Sequence, residues 1–134
     1  HRPRLSEAER RLARRLADLL DAGGLAPPGP AGLAEALGAD RTVVQDLLRL
    51  AAAAGEIVFV NSDLVVNAAA EQRLRAEARA VLEREEPAGP AAFAQALGLT
   101  RRQLIPLLEH LDREGCTERT GKGRVRGPAW RQSR

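Results

Sequence analysis

Leucines recur at helical spacing in the C-terminal part of the chain. Four of them occupy positions i, i+3, i+4 and i+7, which places one apolar stripe on a helix face: Leu104, Leu107, Leu108 and Leu111. Thr100 followed by Gln103 is typical of a helix start, because the two side chains can satisfy free backbone N–H groups reciprocally. The pattern predicts a helix from this start to Gly115, with Pro106 loosening or bending its first turn.

A hairpin is predicted directly after this helix. Extended segments lie on both sides of the turn Thr120–Gly121–Lys122–Gly123, so the tip of the hairpin carries a lysine. A helix followed by such a hairpin is the arrangement of a recognition helix and its wing.

Three helices and a hairpin are predicted in the N-terminal half as well. Each helix ends at glycine, and the first and third carry an apolar stripe of helical spacing. β-branched runs on either side of the polar turn Asn61–Ser62–Asp63 predict the hairpin. The predicted segments are helices from Ser6 to Gly23, from Ala31 to Leu37 and from Asp40 to Gly55, and strands at Ile57–Val60 and Leu64–Val66.

The two halves are related by an internal repeat. Pro27–Val66 aligns without a gap on Pro87–Arg126, with thirteen identities in forty positions. Each unit therefore has the order helix, helix, helix, strand, wing, strand. The predicted fold class is mainly α with short β hairpins (α+β), in two tandem winged helix-turn-helix domains, residues 1–67 and 68–134. A junction near Asn67 with hardly any linker favours a fixed tandem.

Positive charge is concentrated in the second unit. The formal charge of the chain is +3, but residues 1–67 hold eight basic against nine acidic side chains, whereas residues 68–134 hold thirteen against nine. The second unit is therefore the predicted anion-binding unit. Only 2% of the residues are aromatic, which disfavours domains that bind nucleic acid by stacking bases. Phe59 and Phe93 are expected in the cores, and Trp130 is expected to pack on its own domain.

No pattern typical of an enzyme is present. The two histidines have no cysteine or carboxylate at ligand or triad spacing, and His110 is expected to be a partly exposed helix residue. Gly121–Lys122–Gly123 lacks the surrounding residues of a nucleotide-binding loop. A single cysteine, Cys116, excludes an internal disulfide and leaves no ligand set for zinc. No apolar run could span a bilayer, so an intracellular protein is expected, and the absence of Met at position 1 indicates a fragment that extends N-terminally.

The predicted nucleic-acid site lies at the start of the third helix of the second unit and at its wing. Glu109 lies in the middle of the exposed helix face, so a helix laid lengthwise in a DNA groove would bring a carboxylate toward phosphates. Contact through the N-terminal turn and the wing suits a structured RNA loop instead. The candidate RNA-binding residues are Arg101, Arg102, Gln103, Arg119, Lys122, Arg124 and Arg126.

The first unit is expected to act as a spacer and brace. Its wing tip has Ser62 where the second unit has Lys122, and its third helix starts with Arg41 and Thr42 where the second has two arginines. Recognition is therefore assigned to the second unit. On the first helix of the first unit, four arginines are expected to lie on the solvent face with Glu and Asp partners: Arg10, Arg11, Arg14 and Arg15. The alternative is that they reach the flank of an RNA stem and add a small contribution to binding, on the order of 1 kcal/mol.

The run RRQLIPLLEHLDREGCTERTGKGRVR, residues 101–126, resembles the end of the bacterial selenocysteine-specific elongation factor. The last winged-helix unit of that family has a similar pattern of Pro-Leu-Leu-Glu, Leu-Asp-x-x-Gly and a Thr-x-Arg strand before a basic wing. The resemblance implies a C-terminal tandem whose final unit holds the apical loop of the mRNA selenocysteine-insertion hairpin. The RNA contacts that it implies are Arg101, Arg102, Arg119, Lys122 and Arg124.

The resemblance also implies partners outside this chain, because the parent factor would bind GTP, carry selenocysteyl-tRNA and act on the ribosome. For the chain itself, a cytoplasmic monomer without cofactor, metal or membrane contact is expected. Two alternatives stay open. A winged-helix transcription regulator would prefer duplex DNA to an RNA hairpin, and a structural protein-interaction tandem would show no salt-dependent binding of nucleic acid.

Overall fold

The computed structural model describes residues 4–131. The chain forms two compact units that divide between Ala70 and Glu71. Each unit contains three helices followed by a two-stranded antiparallel hairpin. The predicted fold class, mainly α with short β hairpins in winged-helix order, is confirmed.

Unit 1 owes its helices to capping side chains and to one shared core. Ser6 and Glu9 form a capping box at the first helix, and Asp40 accepts from the backbone N–H of Thr42 at the third. The core contains Leu16, Leu20, Leu33, Leu37, Val44, Leu47, Leu48, Ile57 and Val65. The elements are α1 (Glu7–Gly23), α2 (Pro30–Leu37), α3 (Arg41–Ala53), β1 (Ile57–Asn61) and β2 (Leu64–Asn67).

Unit 2 repeats this order and adds a short C-terminal helix that the sequence pattern did not predict. Its elements are α4 (Ala68–Arg84), α5 (Pro90–Leu97), α6 (Arg101–Arg113), β3 (Thr117–Thr120), β4 (Gly123–Arg126) and α7 (Pro128–Arg131). The predicted junction after Asn67 coincides with the start of α4, whereas the compact units divide one turn inside that helix. Pro106 lies inside α6, which continues on both sides of it.

The core of unit 2 forms between the apolar faces of its long helices. Phe93 is fully buried, and Trp130 of α7 is buried with the guanidinium of Arg79 at 5.9 Å from the centre of its ring. The predicted burial of Phe93 and Trp130 is confirmed, whereas Phe59 of unit 1 is only partly buried against its core. The other core residues of unit 2 include Leu74, Ala78, Val81, Leu82, Leu104, Leu107, Leu108 and Leu111.

His110 is buried, with 5% of its surface exposed, so the expectation of a partly exposed residue is wrong. Its Nε2 lies 2.8 Å from the Glu71 carboxylate, which also accepts from Nε of Arg75 at 2.8 Å. Arg75 in turn donates to Glu114 and to the Cys116 sulfur, both at 3.1 Å. Burial by itself raises the pKa of Glu71, but the hydrogen bonds from Arg75 and His110 outweigh it and hold that pKa below its usual value. A polar network therefore satisfies the histidine inside an apolar core.

Within residues 4–131, no helix has both the length and the apolar character needed to cross a bilayer. The same residues contain no group of three or more His, Cys, Asp or Glu side chains placed to hold a metal ion.

Candidate nucleic-acid interface

The first turn of α6 presents free backbone donors beside two arginines. Thr100 Oγ1 accepts from the backbone N–H of Gln103 at 3.2 Å, and Gln103 Oε1 accepts from the N–H of Thr100 at 3.0 Å. The N–H groups of Arg101 and Arg102 stay free at the helix end, where the helix dipole favours an anion. Both side chains are exposed and make no hydrogen bond or ion pair with any residue from 4 to 131. The oxygen of Gln103 is occupied by the cap, so its amide nitrogen is the group available to a ligand.

The wing adds two more cations. In the β3–β4 ladder, Thr120 pairs with Gly123, and the turn between them places Lys122 at the tip. The Thr120 hydroxyl accepts from the backbone N–H of Lys122 at 3.2 Å and donates to the carbonyl of Gly123, which fixes the turn. The side chains of Lys122 and Arg119 are exposed, and neither forms a hydrogen bond or ion pair in the described part of the chain.

Arg124, one of the candidate RNA-binding residues, is buried, so it does not display its charge on the surface as the other wing cations do. Its side chain is 8% exposed and binds the Asp112 carboxylate through two nitrogens, Nη2 at 2.7 Å and Nε at 3.0 Å. Thr117 donates its hydroxyl to the same carboxylate at 2.6 Å. Burial raises the pKa of Asp112, but these hydrogen bonds and the charges of Arg124 and Arg119 outweigh it and lower that pKa. Arg124 therefore fastens β4 to the end of α6.

Arg126 is held by the segment that follows α4. Its backbone N–H donates to Glu86 at 2.8 Å, and its Nη2 lies 3.0 Å from the other oxygen of that carboxylate. These contacts lower the pKa of Glu86, the backbone hydrogen bond having the larger effect. Because 46% of the Arg126 side chain stays exposed, its guanidinium group contacts solvent as well as Glu86. Glu86 therefore supports the wing.

A backbone contact fixes the wing at a second point. Ala88 and Arg124 exchange two hydrogen bonds, N–H of Ala88 to the Arg124 carbonyl at 2.9 Å and the reverse at 2.8 Å. Gly123 has φ of +125° and its Cα faces the Ala88 carbonyl so closely that a Cβ there would lie 2.7 Å from the oxygen. Only glycine fits this position without a shift. The wing is thus anchored both to α6 and to the loop before α5, and Lys122 projects from a rigid support.

The structure therefore separates the seven predicted residues into groups. Arg101, Arg102, Arg119 and Lys122 are exposed cations without a hydrogen bond or ion pair within residues 4–131, Gln103 is half engaged in the cap, and Arg124 and Arg126 have carboxylate partners.

Sequence reasoning missed the supporting carboxylates, Asp112 and Glu86. One signal for the first was present in the repeat, where Asp112 and Arg124 stand at the positions of the apolar residues Ala52 and Leu64 of unit 1. Two charges of opposite sign that replace two apolar residues in one repeat indicate an ion pair. No comparable signal pointed to Glu86.

Comparisons with known proteins agree on one family. A family model described as "Elongation factor SelB, winged helix" matches residues 80–126, which include α5, α6 and the wing. The selenocysteine-specific elongation factor of Desulfomicrobium baculatum is 31% identical over 101 residues. That alignment covers 75% of this chain and 16% of the relative, so the chain spans only a small part of the length of the curated relative.

A solved structure has the same fold over nearly the whole chain. It is described as the mRNA-binding domain of elongation factor SelB from E. coli in complex with SECIS RNA. The match has a TM-score of 0.80 at 25% sequence identity and covers 92% of this chain and 99% of that chain. Residues of both units are therefore included in the match.

Proposed function

Because the chain belongs to the C-terminal winged-helix region of the SelB elongation-factor family, we propose that it binds the mRNA stem-loop that directs selenocysteine insertion. The observation that carries this proposal is the group of four exposed cations without hydrogen-bond or ion-pair partners among the described residues, Arg101, Arg102, Arg119 and Lys122, in the segment that matches the family. Binding of the stem-loop would mark a stop codon of that mRNA for selenocysteine. Contacts with GTP, selenocysteyl-tRNA and the ribosome would be made through the parent factor.

The proposed binding mode uses the end of α6 and the wing together. A phosphate at the N-terminus of α6 would accept hydrogen bonds from the backbone N–H groups of Arg101 and Arg102 and would be favoured by the helix dipole. Lys122, fixed at the wing tip, would contact a second part of the RNA backbone or a base edge. A bent RNA loop can meet both elements at once, whereas the exposed Glu109 opposes a DNA duplex lying along α6.

The buried arginine has a different role in this proposal. Arg124 would act as a positioning residue, since Asp112 and Thr117 occupy its donors, while the four exposed cations would contact RNA. Arg126 would attract RNA through the exposed part of its guanidinium group, and Gln103 would donate a hydrogen bond to RNA from its side-chain amide nitrogen.

Alanine at Arg102 or Lys122 should weaken binding of the cognate hairpin. A contact that reads a base should cost about 1–3 kcal/mol, and a contact to phosphate alone should lower the salt slope of binding by about 0.7–0.9. The measurement is hairpin affinity at several salt concentrations. Arg73→Ala is the matched control, because Arg73 is an exposed arginine of the same unit on a different helix, α4. Two variants that bind like the wild type at every salt concentration would exclude α6 and the wing as the site.

We also propose that unit 2 carries most of the affinity for the hairpin. Unit 1 has a wing tip without a cation, where Asn61 accepts from the backbone N–H of Asp63 at 2.8 Å. Residues 68–134, which begin at the start of α4, should therefore retain hairpin binding within about 3 kcal/mol of the full chain when expressed alone. The test compares both halves with the full chain at matched salt concentration, and equal affinity of the two halves would contradict the assignment.

A further inference from the structure

The outward face of α1 carries a cluster of arginines that the proposed hairpin site does not use. The opposite face is buried in the core of unit 1 through Leu16 and Leu20. All four arginines of the outward face are exposed, and Arg10 lies 2.7 Å from the carboxylate of Glu7. The other three make no hydrogen bond or ion pair with residues 4–131, contrary to the expectation of acidic partners: Arg11, Arg14 and Arg15. We call these three residues the α1 arginine surface.

The α1 arginine surface does not result from an overall positive charge of unit 1. Residues 1–67 hold nine acidic side chains against eight arginines, so the positive charge has been segregated onto this helix face. Arg11 is three and four positions from the other two, where like charges on a helix repel and reduce its stability. A surface with this repulsion and no hydrogen-bond or ion-pair partner within residues 4–131 points to an external anion.

The residues at and around this surface favour the phosphate groups of RNA as the anion. The three arginines lie beside Ala17 and Asp18 on one open helix face, so one carboxylate stands against three guanidinium groups. Guanidinium groups match phosphate oxygens through paired N–H donors. No aromatic residue belongs to this open face, so bases of a single strand would find no stacking partner there. The apolar face of α1 is already in the core and cannot enter a lipid surface.

We propose that Arg11, Arg14 and Arg15 form a second RNA-binding surface, which contacts the phosphate backbone of a double-stranded RNA segment. This surface goes beyond the recognition of the hairpin by unit 2 and rests on it only in the choice of RNA as the nucleic acid. Binding depends on charge, tolerates any sequence and weakens steeply with salt, because it replaces condensed counterions on phosphates. Unit 1 is then more than a spacer, since it holds a second stretch of RNA.

The test uses the full chain and a blunt RNA duplex of arbitrary sequence. The triple variant R11Q/R14Q/R15Q should bind this duplex about tenfold more weakly than the wild type or worse, and its salt slope should be smaller by about 2–3 for three lost phosphate contacts. The triple variant R11K/R14K/R15K keeps the charges and should keep most of the binding. R41Q/R49Q is the matched control, because both arginines are exposed on α3 of the same unit. Circular dichroism of each variant verifies that the helices are intact.

A second probe separates this proposal from the hairpin site. Arg102→Ala and Lys122→Ala each remove one cation of the hairpin site, so each should weaken binding of the blunt duplex less than R11Q/R14Q/R15Q does, while the triple variant should weaken hairpin binding less than either of them. The proposal is overturned if R11Q/R14Q/R15Q binds the duplex with wild-type affinity and salt slope, or if duplex binding is lost in the α6 and wing variants instead. It is also overturned if the wild type binds vesicles of anionic lipid through the same arginines as tightly as it binds the duplex.

Discussion

Replacing Arg124 with alanine should lower the free energy of unfolding of unit 2 by about 2–4 kcal/mol, although a wing arginine would ordinarily be counted as a surface residue. Loss of one member of a buried ion pair costs about 3–5 kcal/mol, because the remaining charge is left without its partner. The side chain of Asp112 is 26% exposed, so water can compensate part of that loss and the lower part of the range is expected. The hydroxyl of Thr117 would remain as a donor to Asp112.

The measurement is denaturant unfolding followed by the fluorescence of Trp130. This is the single tryptophan of the chain, and it is buried in unit 2, so its signal reports this unit and not unit 1. Arg126→Ala is the matched control on the same strand, and it should cost only about 0–1 kcal/mol because its pair with Glu86 is partly exposed. Equal losses in the two variants would show that the burial of Arg124 is of no consequence.

The internal repeat suggests a second variant, which separates the loss of the ion pair from the cost of an unpaired buried charge. Unit 1 has Ala52 and Leu64 at the positions of Asp112 and Arg124. The double variant D112A/R124L should recover much of the stability lost in Arg124→Ala, because buried ion pairs are often replaced by apolar residues at little cost. Hairpin binding by the double variant then shows whether the pair is needed to hold Lys122 in place when the fold is intact.

The same ion pair should contribute to the pH dependence of stability. The pKa of Asp112 is lowered in the folded protein, so the contribution of the pair is present above the unfolded-state pKa of about 3.9. It is lost as the pH falls through the lower folded-state pKa, since the unfolded chain binds the proton first. The wild type should therefore lose stability toward acid pH more steeply than D112A/R124L.

Replacing Glu71 with alanine should destabilise unit 2 by about 3–5 kcal/mol. The Glu71 side chain is 4% exposed and is the acceptor for both His110 and Arg75, each at 2.8 Å. Without the carboxylate, the buried imidazole has no hydrogen-bond partner at Nε2 and Arg75 loses its closest counter-charge. The pKa of Glu71 is lowered in the folded state, so this contribution is also present above the unfolded pKa and disappears as the pH falls through the folded one.

Two variants on the same helix test the origin of this effect. Glu77→Ala removes an exposed glutamate of α4 and should change the free energy of unfolding by no more than about 0.5 kcal/mol. Glu71→Gln keeps an oxygen acceptor without the charge and should lie between alanine and wild type. If Glu71→Ala and Glu77→Ala unfold at the same denaturant concentration, the buried network does not stabilise the unit. Trp130 fluorescence is again the reporter, because all of these residues belong to unit 2.

The helices and hairpins of this protein follow from local patterns in its sequence. Leucine at i, i+3, i+4 and i+7 in α6 indicates which helix face is buried, but not which other elements pack against that face. Capping pairs such as Thr100 with Gln103 act within four residues, so they mark a helix start wherever that helix packs. The repeat added the order of elements in both units. These features involve neighbours in the chain, and for that reason the fold class could be predicted.

The state of each charged side chain depends on partners that the fold brings from elsewhere. Arg119 and Arg124 both belong to the wing, yet one is exposed and the other is buried against Asp112, twelve residues away in the chain. Arg126 meets Glu86 across 40 residues, and His110 meets Glu71 across 39. The four exposed arginines of α1 differ in their ion pairs, because Glu7 contacts only Arg10. Periodicity places a side chain on a face but carries no information about a distant counter-charge, so only the tertiary structure could separate the exposed cations from those that hold the wing.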